Sequence, residues 1–422
     1  MQTAFDLETD QPGAAIPSFV PTREHALASL HAFIPKAGKA YAGRRNFDLG
    51  PGKHAHVSCL SPYLRLRLIT EAEVVAAALG AHSFSTAEKF VQEVFWRTYF
   101  KGWLEHRPAV WTSYLEDVAR LHEDAARGGL KKAVEEATTG HTGIECFDAW
   151  TNELIDTGYL HNHARMWYAS IWIFTLNLPW QLGADFFLTH LLDGDPASNT
   201  LSWRWVGGLH TKGKHYLARA SNINKFTEGR FNPGYQLANS ETPSLNEEEE
   251  FDIAPLATPV PVAAGATCGL LLTMEDCHPE SLTGLPPLKG LAMADGVGND
   301  SEIGLDEQVK AFRRAALDDL SGRAAAHFEK PVQRLSLEAG AAPLVDWAAQ
   351  QGIDTIVTPF VPQGPVHNQL EGMAQSLRAA GLTLALHKRD YDQLSWPHAK
   401  KGFFGLKKKI PDIVRDLEQL NL

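Results

Sequence analysis

Between Thr142 and Pro233 the chain is far richer in tryptophan, asparagine and paired aspartate than its surroundings, and this stretch constrains the rest. Six of the eleven tryptophans lie here (Trp150, Trp167, Trp172, Trp180, Trp203 and Trp205), close to a helix-end cluster of Asp193, Asp195, Ser198 and Asn199. A carboxylate beside bulky aromatic rings is costly unless something pairs with it. The combination points to a buried polar ligand. Apolar periodicity across the same stretch predicts helices from about Ile144 to Leu154, Asn162 to Leu176 and Leu182 to Leu192, the last ended by Gly194.

Two bland readings compete for these residues. Asp193-x-Asp195-x-x-x-Asn199 begins like a calcium loop, but the fifth position is Ala197 and the twelfth Arg204, where an oxygen ligand and a glutamate are needed. His161 and His163 have no clustered histidine nearby in the sequence, and the four cysteines (Cys59, Cys146, Cys268, Cys277) lack Cys-x-x-Cys spacing. No metal is expected.

The chain of 422 residues, 44% hydrophobic, is long enough for two or three cores. Its net charge of −11, from 39 basic against 50 acidic residues, excludes a global positive field, so any contact with nucleic acid needs a local basic patch. The acidic first residues lack the features of a signal peptide, and residues 1–20 read as a flexible arm. The longest apolar run, Trp167 to Leu178, is shorter than the ~20 residues of a membrane span. A cytoplasmic protein is expected, with no membrane contact.

Along the chain, a helix is predicted from Arg23 to Phe33, and Thr70 with Glu73 has the capping-box spacing. Between them, Ser58 and Ser61 are small hydroxyls near a helix start, which can cap that helix or hold an anion. The helix around Phe90 to Phe100 carries Glu93 and Trp96 on one face. Phe95, Tyr99 and Phe100 read as core, whereas Glu93 on an aromatic face calls for a partner. The polar stretch Glu123 to Thr139 reads as surface.

Beyond Pro233 an acidic run (Glu241, Glu247 to Glu250, Asp252) and Pro255, Pro259 and Pro261 read as a linker. Strands at Gly269–Met274, Thr355–Thr358 and Leu382–His387 then alternate with helices at Leu305–Leu320, Leu344–Gln351 and Leu370–Ala380, which implies a parallel α/β sheet. No Gly-x-Gly-x-x-Gly follows the first of these strands, so no dinucleotide fingerprint is present. The lysines at 400, 401 and 407–409 read as a solvated face.

Gly158-Tyr159-Leu160-His161-Asn162, Arg165-Met166 and Asp193-Gly194-Asp195-Pro196-Ala197-Ser198-Asn199, followed by Trp203-Arg204-Trp205, resemble the flavin-binding domain of the DNA photolyase/cryptochrome family. So do Val57-Ser58-Cys59-Leu60-Ser61-Pro62-Tyr63-Leu64 and the helix containing Glu93, Trp96 and Arg97. Departures include Tyr159 for the family's usual Trp, His163 for Arg, and Val57 for Thr. The resemblance implies a multi-domain chain: an all-helical photolyase-like FAD-binding domain (21–235), a linker (236–265) and a Rossmann-like parallel α/β domain (266–422) of the antenna type. The family normally places that α/β domain first, so the order here reads as circularly permuted.

The resemblance also implies roles for individual residues. Tyr41, Ser58, Leu60, Ser61, Gln92 and Arg97 would hold the phosphates and ribose of FAD. His161 belongs to the same binding motif. Arg165 and Asp193 would pair beside the ring system, Asp195 would hold its polar edge, and Asn199 would face its N5 and favour a reduced flavin. Trp203 and Trp180 match the first two electron-transfer tryptophans; the third has no counterpart between Leu121 and Thr142. Glu93, Trp96, Asn162, Met166 and Trp205 fall where enzymes that split cyclobutane pyrimidine dimers meet a dimer flipped out of UV-damaged DNA, and His161-Asn162 favours that lesion over the six-four photoproduct.

Arg97, Arg204, Lys212, Lys214, Arg219, Lys225 and Arg230 are the candidate phosphate contacts. The implied activity is light-dependent DNA repair, a lyase reaction driven by electron transfer from photoexcited reduced FAD. The alternative is a cryptochrome-like blue-light photoreceptor with a signalling partner and no repair. The antenna chromophore stays unassigned.

Overall fold

The computed structural model describes residues 19–126, 129–247, 249–296, 298, 301–338 and 340–419. The expected arm thus lies outside the described residues, apart from Phe19 and Val20. The first half is helical: α1 (Arg23–Phe33), α2 (Lys39–Arg44), α3 (Ser61–Arg65), α4 (Glu71–Ala81), α5 (Phe84–Glu105), α6 (Ala109–Ala125), α7 (Leu130–Thr138), α8 (Glu145–Thr157), α9 (Asn162–Ser170), α10 (Trp180–His190), α11 (Pro196–Gly207) and α12 (Ala220–Phe226). In chain order, the second half is β1 (Cys268–Leu272), β2 (Leu288–Ala294), α13 (Glu307–Phe328), β3 (Val332–Leu335), α14 (Ala342–Gln351), β4 (Thr355–Pro359), α15 (Pro365–Ala379), β5 (Thr383–His387), α16 (Asp390–Ser395), α17 (Phe404–Lys407) and α18 (Ile410–Gln419). Among the described residues no helix is long and apolar enough to cross a membrane.

Local chemistry accounts for the helix ends. Thr22 caps α1 by accepting the His25 N–H, and Thr70 and Glu73 form both arms of the capping box of α4. Two sequence expectations need correction. The stretch from Glu123 to Thr139 is not merely surface: it completes α6 and forms α7, whose Ala137 is buried. The helix expected to run to Leu176 ends at Ser170 and widens into a π-helical turn, Ile171–Thr175, closed by the Leu176 N–H on the Ile171 carbonyl.

The five strands are parallel in the order β3-β2-β1-β4-β5, a doubly wound sheet with β1 and β4 buried along their whole length. The strands β2 and β3 escaped the sequence reading. Leu288–Ala294 follows a proline- and glycine-rich stretch, and Val332–Leu335 is a short edge strand with polar Gln333 and Arg334 exposed.

The carboxyl ends of the strands face the helical half, and buried charges join the two. Arg65 at the end of α3 gives Glu275, just past β1, a bidentate pair at 2.8 and 3.0 Å and donates its Nε to the Gly194 carbonyl at 2.6 Å. Arg67, held at a left-handed φ of 51°, makes two 2.8 Å bonds to Asp392. Asp276 is chelated by Arg389 at 2.7 and 2.8 Å. Removing one partner of such a pair strands a buried charge and costs about 3–5 kcal/mol.

Glu105, the last residue of α5, adds a titrating contact. It is buried and accepts the Gln363 N–H at 2.7 Å. Burial pushes its carboxyl up to about 7, against the pull of that N–H and of Lys388 and Lys101. The folded state therefore keeps a proton that the unfolded chain loses above its ordinary value of 4.5, and this contribution to stability disappears as pH rises through 7. Glu105→Gln keeps the acceptor for Gln363. It is expected to raise Tm relative to the parent at about pH 8 and to match it near pH 4.5, checked by thermal unfolding across that range; a pH-independent difference would remove Glu105 as the titrating group.

Candidate functional site

A cavity of about 620 Å³ opens in the helical half, and four chain segments supply much of its lining. From α5 come Glu93, Trp96, Arg97 and Phe100, at the 3-4-7 spacing of one helical face. From α9 come Asn162, Arg165, Met166 and Ala169 at the same spacing, and from α11 Ser198, Asn199, Ser202, Trp203, Trp205 and Val206. The turn into α3 contributes Ser58, Cys59, Leu60 and Ser61.

Two glycines make this convergence feasible. Gly158 ends α8 at a φ of 66°, and a Cβ there would lie 2.7 Å from Leu192. A Cβ on Gly183 of α10 would lie 2.4 Å from the Trp203 ring, so that glycine lets the indole seat against the helix. Within the α3 turn Cys59 has a φ of 51°, uncommon for a residue with a side chain. Burial pushes its thiol up to about 11, against the pull of its hydrogen bond to Tyr159.

The charged groups form two sets. Arg165 and Asp193 are bidentate, with both bonds at 2.9 Å, and the Arg165 Nε is anchored on the Leu160 carbonyl at 2.8 Å. Asp195 caps α11 by accepting the Ser198 N–H at 2.8 Å and receives Arg97 and Lys101, each at 3.1 Å. Burial alone would raise its pKa, yet Lys101, Arg97 and Arg65 together hold the carboxyl well below the usual carboxylate range.

Asn199 donates its Nδ2 to the Ala184 carbonyl at 2.8 Å, which assigns the amide and leaves Oδ1 as the acceptor for a ligand. Glu93 has Arg45 3.8 Å away. Burial raises its pKa, moderated by Arg45 and Lys89.

Most of the residues expected from the sequence meet here: Tyr41, Ser58, Leu60, Ser61, Glu93, Trp96, Arg97, Asn162, Arg165, Met166, Asp193, Asp195, Asn199, Trp203 and Trp205 all line the cavity. Three do not. Gln92 sits one position off the cavity face of α5 and donates to Glu88 at 2.6 Å instead. His161 is buried and caps α9, its Nδ1 accepting the His163 N–H at 3.1 Å. Trp180 packs at the start of α10 against Tyr114, with ring centroids 5.7 Å apart.

The sequence reading missed Arg45, which faces Glu93, and Lys101, one helical turn beyond Arg97, where helical spacing could have found it. It also missed a buried group beside His161: Asp48, His54 and Glu153, with ligand-type atoms all within 4.8 Å of one another. Asp48 there accepts the Trp150 Nε1 at 2.9 Å.

Several expected phosphate contacts are already engaged. Arg204 is bidentate with Glu247, Lys212 meets Glu250 at 3.0 Å, Arg230 lies 3.6 Å from Asp48, and Arg97 holds Asp195. The acidic run is therefore not a free linker where it is described, since Leu245 also packs on Gly207 and its N–H bonds the Gly207 carbonyl. Lys214, Arg219 and Lys225 remain on the surface.

A concave site that buries an arginine–aspartate pair, a second carboxylate between two cations and an oriented amide is that of a polar cofactor-binding domain. Residues 90–268 match the family model of the FAD binding domain of DNA photolyase. Over this region the chain is similar to a photolyase FAD-binding domain, and the cofactor that goes with this match is FAD.

A deoxyribodipyrimidine photo-lyase of Thermus thermophilus is 34% identical over 215 residues, which cover 50% of this chain and 48% of that protein. Its counterpart from Synechococcus is 30% identical over 215 residues, 49% of this chain and 43% of the relative. A class III photolyase structure from Agrobacterium tumefaciens shares 28% identity and a TM-score of 0.40, covering 49% of this chain and 43% of that one. The chain thus spans less than half the length of these relatives.

The residues present fit the cofactor. Arg97 Nε and Ser198 Oγ belong to lining residues and are buried without a hydrogen-bond partner among the described residues, as donors awaiting a ligand would be. Ser58, Ser61 and Arg97 would hold the phosphates, and Arg165, Asp193 and Asn199 the ring system. Arg165→Ala leaves Asp193 buried and uncompensated, and is expected to cut the flavin-to-protein ratio by roughly tenfold or more, read from the visible absorbance of purified protein. Full retention of flavin would remove this pair from the binding site.

Proposed function

We propose that this chain splits cyclobutane pyrimidine dimers in UV-damaged DNA under blue light, as a cytoplasmic flavoprotein. In this reading residues 21–235 bind flavin and lesion, residues 236–265 connect, and residues 266–422 form the antenna-like α/β body. One observation carries it: Glu93, Trp96, Asn162, Met166 and Trp205 line the same cavity as Arg165, Asp193 and Asn199. When bound and reduced, FAD supplies the light-excited electron that opens the dimer and is afterwards returned.

The chain's own residues set the stage for that chemistry. Trp96 and Trp205 present flat apolar surfaces to two flipped, cross-linked pyrimidines, and neither ring is free to swing. Trp96 is stacked on Phe403 at 3.9 Å with an interplanar angle of 12°, and Trp205 on Tyr216 at 5.8 Å with 25°. Glu93, whose pKa burial raises against the pull of Arg45 and Lys89, offers its carboxyl oxygens to the pyrimidine N–H groups. Asn199 keeps an acceptor turned to the ligand, and the Arg165–Asp193 pair holds its neighbourhood rigid. Trp203, wedged among Trp172, Phe187 and Tyr168, begins an aromatic series, and Trp180, Tyr114 and Trp111 stack in succession nearby.

A second reading, a photoreceptor without repair, is favoured by the acidic segment that occupies Arg204 and Lys212. Incubation of dim-light-purified, reduced protein with a thymine-dimer oligonucleotide separates the two: lesions are expected to disappear only in blue light. Glu93→Ala is expected to slow that loss by about two orders of magnitude while flavin stays bound; undiminished repair in this variant would sink the assignment of Glu93. Trp203→Phe is expected to keep both flavin and repair of pre-reduced protein but to slow light-driven reduction of the oxidised protein, followed by absorbance; an unchanged rate would place the electron's route elsewhere.

A further inference from the structure

We propose that the C-terminal body carries the docking surface for the lesion-bearing duplex, built from Lys400, Lys401, Lys408 and the exposed ring of Phe404. This rests on the reading that DNA is the substrate. Of the cations expected at the cavity, Arg97, Arg204, Lys212 and Arg230 have carboxylate partners within the chain. Lys214, Arg219 and Lys225 stay exposed, but a duplex brought to Trp96 needs phosphate contacts on the Phe403 side as well. The segment after α16 supplies them.

Phe403 is buried and stacked on Trp96, so the residues on either side of it are held close to an aromatic ring of the cavity. Its neighbour Phe404 is 74% exposed, a large ring left in water where burial would be favourable. Lys408 lies four residues beyond Phe404 along the α17 turn, and so on its face. Lys400, Lys401 and Lys408 are exposed and have no carboxylate partner among the described residues, whereas Lys407 and Lys409 meet Glu88 and Asp412. Arg107 anchors the segment by donating to the Lys400 carbonyl at 2.9 Å, adding a further cation.

Lysines flanking an exposed aromatic ring beside a cavity that would receive a flipped base fit a nucleic-acid backbone with one unstacked step. The lysines bind phosphates and set affinity. Phe404 fills the space that the flipped bases leave in the stack.

The test is fluorescence anisotropy with a labelled duplex, with and without one thymine dimer, across a salt series. The triple variant Lys400→Glu, Lys401→Glu, Lys408→Glu is expected to weaken binding of both duplexes at least tenfold and to make the log–log salt dependence shallower by about 2–3 units. Phe404→Ala is expected to weaken the lesion duplex several-fold, leave the salt slope unchanged and spare the intact duplex. All these positions are exposed, so flavin content and Tm are expected to match the parent.

The proposal is overturned if the triple variant binds like the parent while Lys214→Glu with Arg219→Glu loses affinity, which would put the duplex on the other rim. It is equally overturned if the parent binds anionic phosphatidylglycerol vesicles through these lysines and the duplex without them. Failure of the parent to bind either duplex would instead bring down the DNA reading itself, an outcome distinct from both.

Discussion

The buried guanidinium of Arg65 is the contact on which most of the architecture depends. With one edge it grips Glu275 at the carboxyl end of β1, and with its Nε the Gly194 carbonyl between the two aspartates of the proposed cofactor site; Asp195 lies 3.9 Å away. A charge with no exposed surface is tolerable only with every partner in place, so the sheet, the α3 turn and the 193–195 loop must assemble together or not at all. Arg67 repeats the device two residues later with Asp276 and Asp392. The cavity proposed for the cofactor is thus braced from the second half of the chain, even though its walls come from the first.

The helix α5 carries that bracing into the cavity. Its central turns present Glu93, Trp96 and Arg97 to the site, while its last turn places Lys101 on Asp195 and Glu105 on Gln363. Phe403 stacked on Trp96 adds a second point of support from the C-terminal body. Residues that would touch a lesion are held from behind by residues some three hundred positions away. The two halves therefore work as one unit, whichever comes first in the chain.

Much of this was legible from spacing. The capping box at Thr70 and Glu73, the helical face shared by Glu93 and Trp96 and the bidentate Arg165–Asp193 pair each follow from local pattern or from the motif they resemble. The failures have separate physical causes. Gln92 and Glu93 are adjacent letters, yet about 100° of helical rotation sends one to Glu88 and the other to the cavity. Lys101 and Glu105 look like an exposed helix end until Asp195 and Gln363 arrive from afar. The strand Val332–Leu335 has too few apolar residues to announce itself, because an edge strand needs only one buried face. Distant partners decide Lys101 and Glu105, and no window of sequence contains those partners.

The folded-back acidic segment has a consequence for selectivity. Glu247 on Arg204 and Glu250 on Lys212 place two carboxylates, three residues apart, over a surface beside Trp205. An anion that arrives there meets two cations already neutralised, and each carboxylate it displaces is left without its partner. The segment thus acts as a competitor tethered within the chain, present at a fixed local concentration whatever the solution outside holds. Arg204 and Lys212 are thereby screened by the protein's own sequence, without a lid or a second domain.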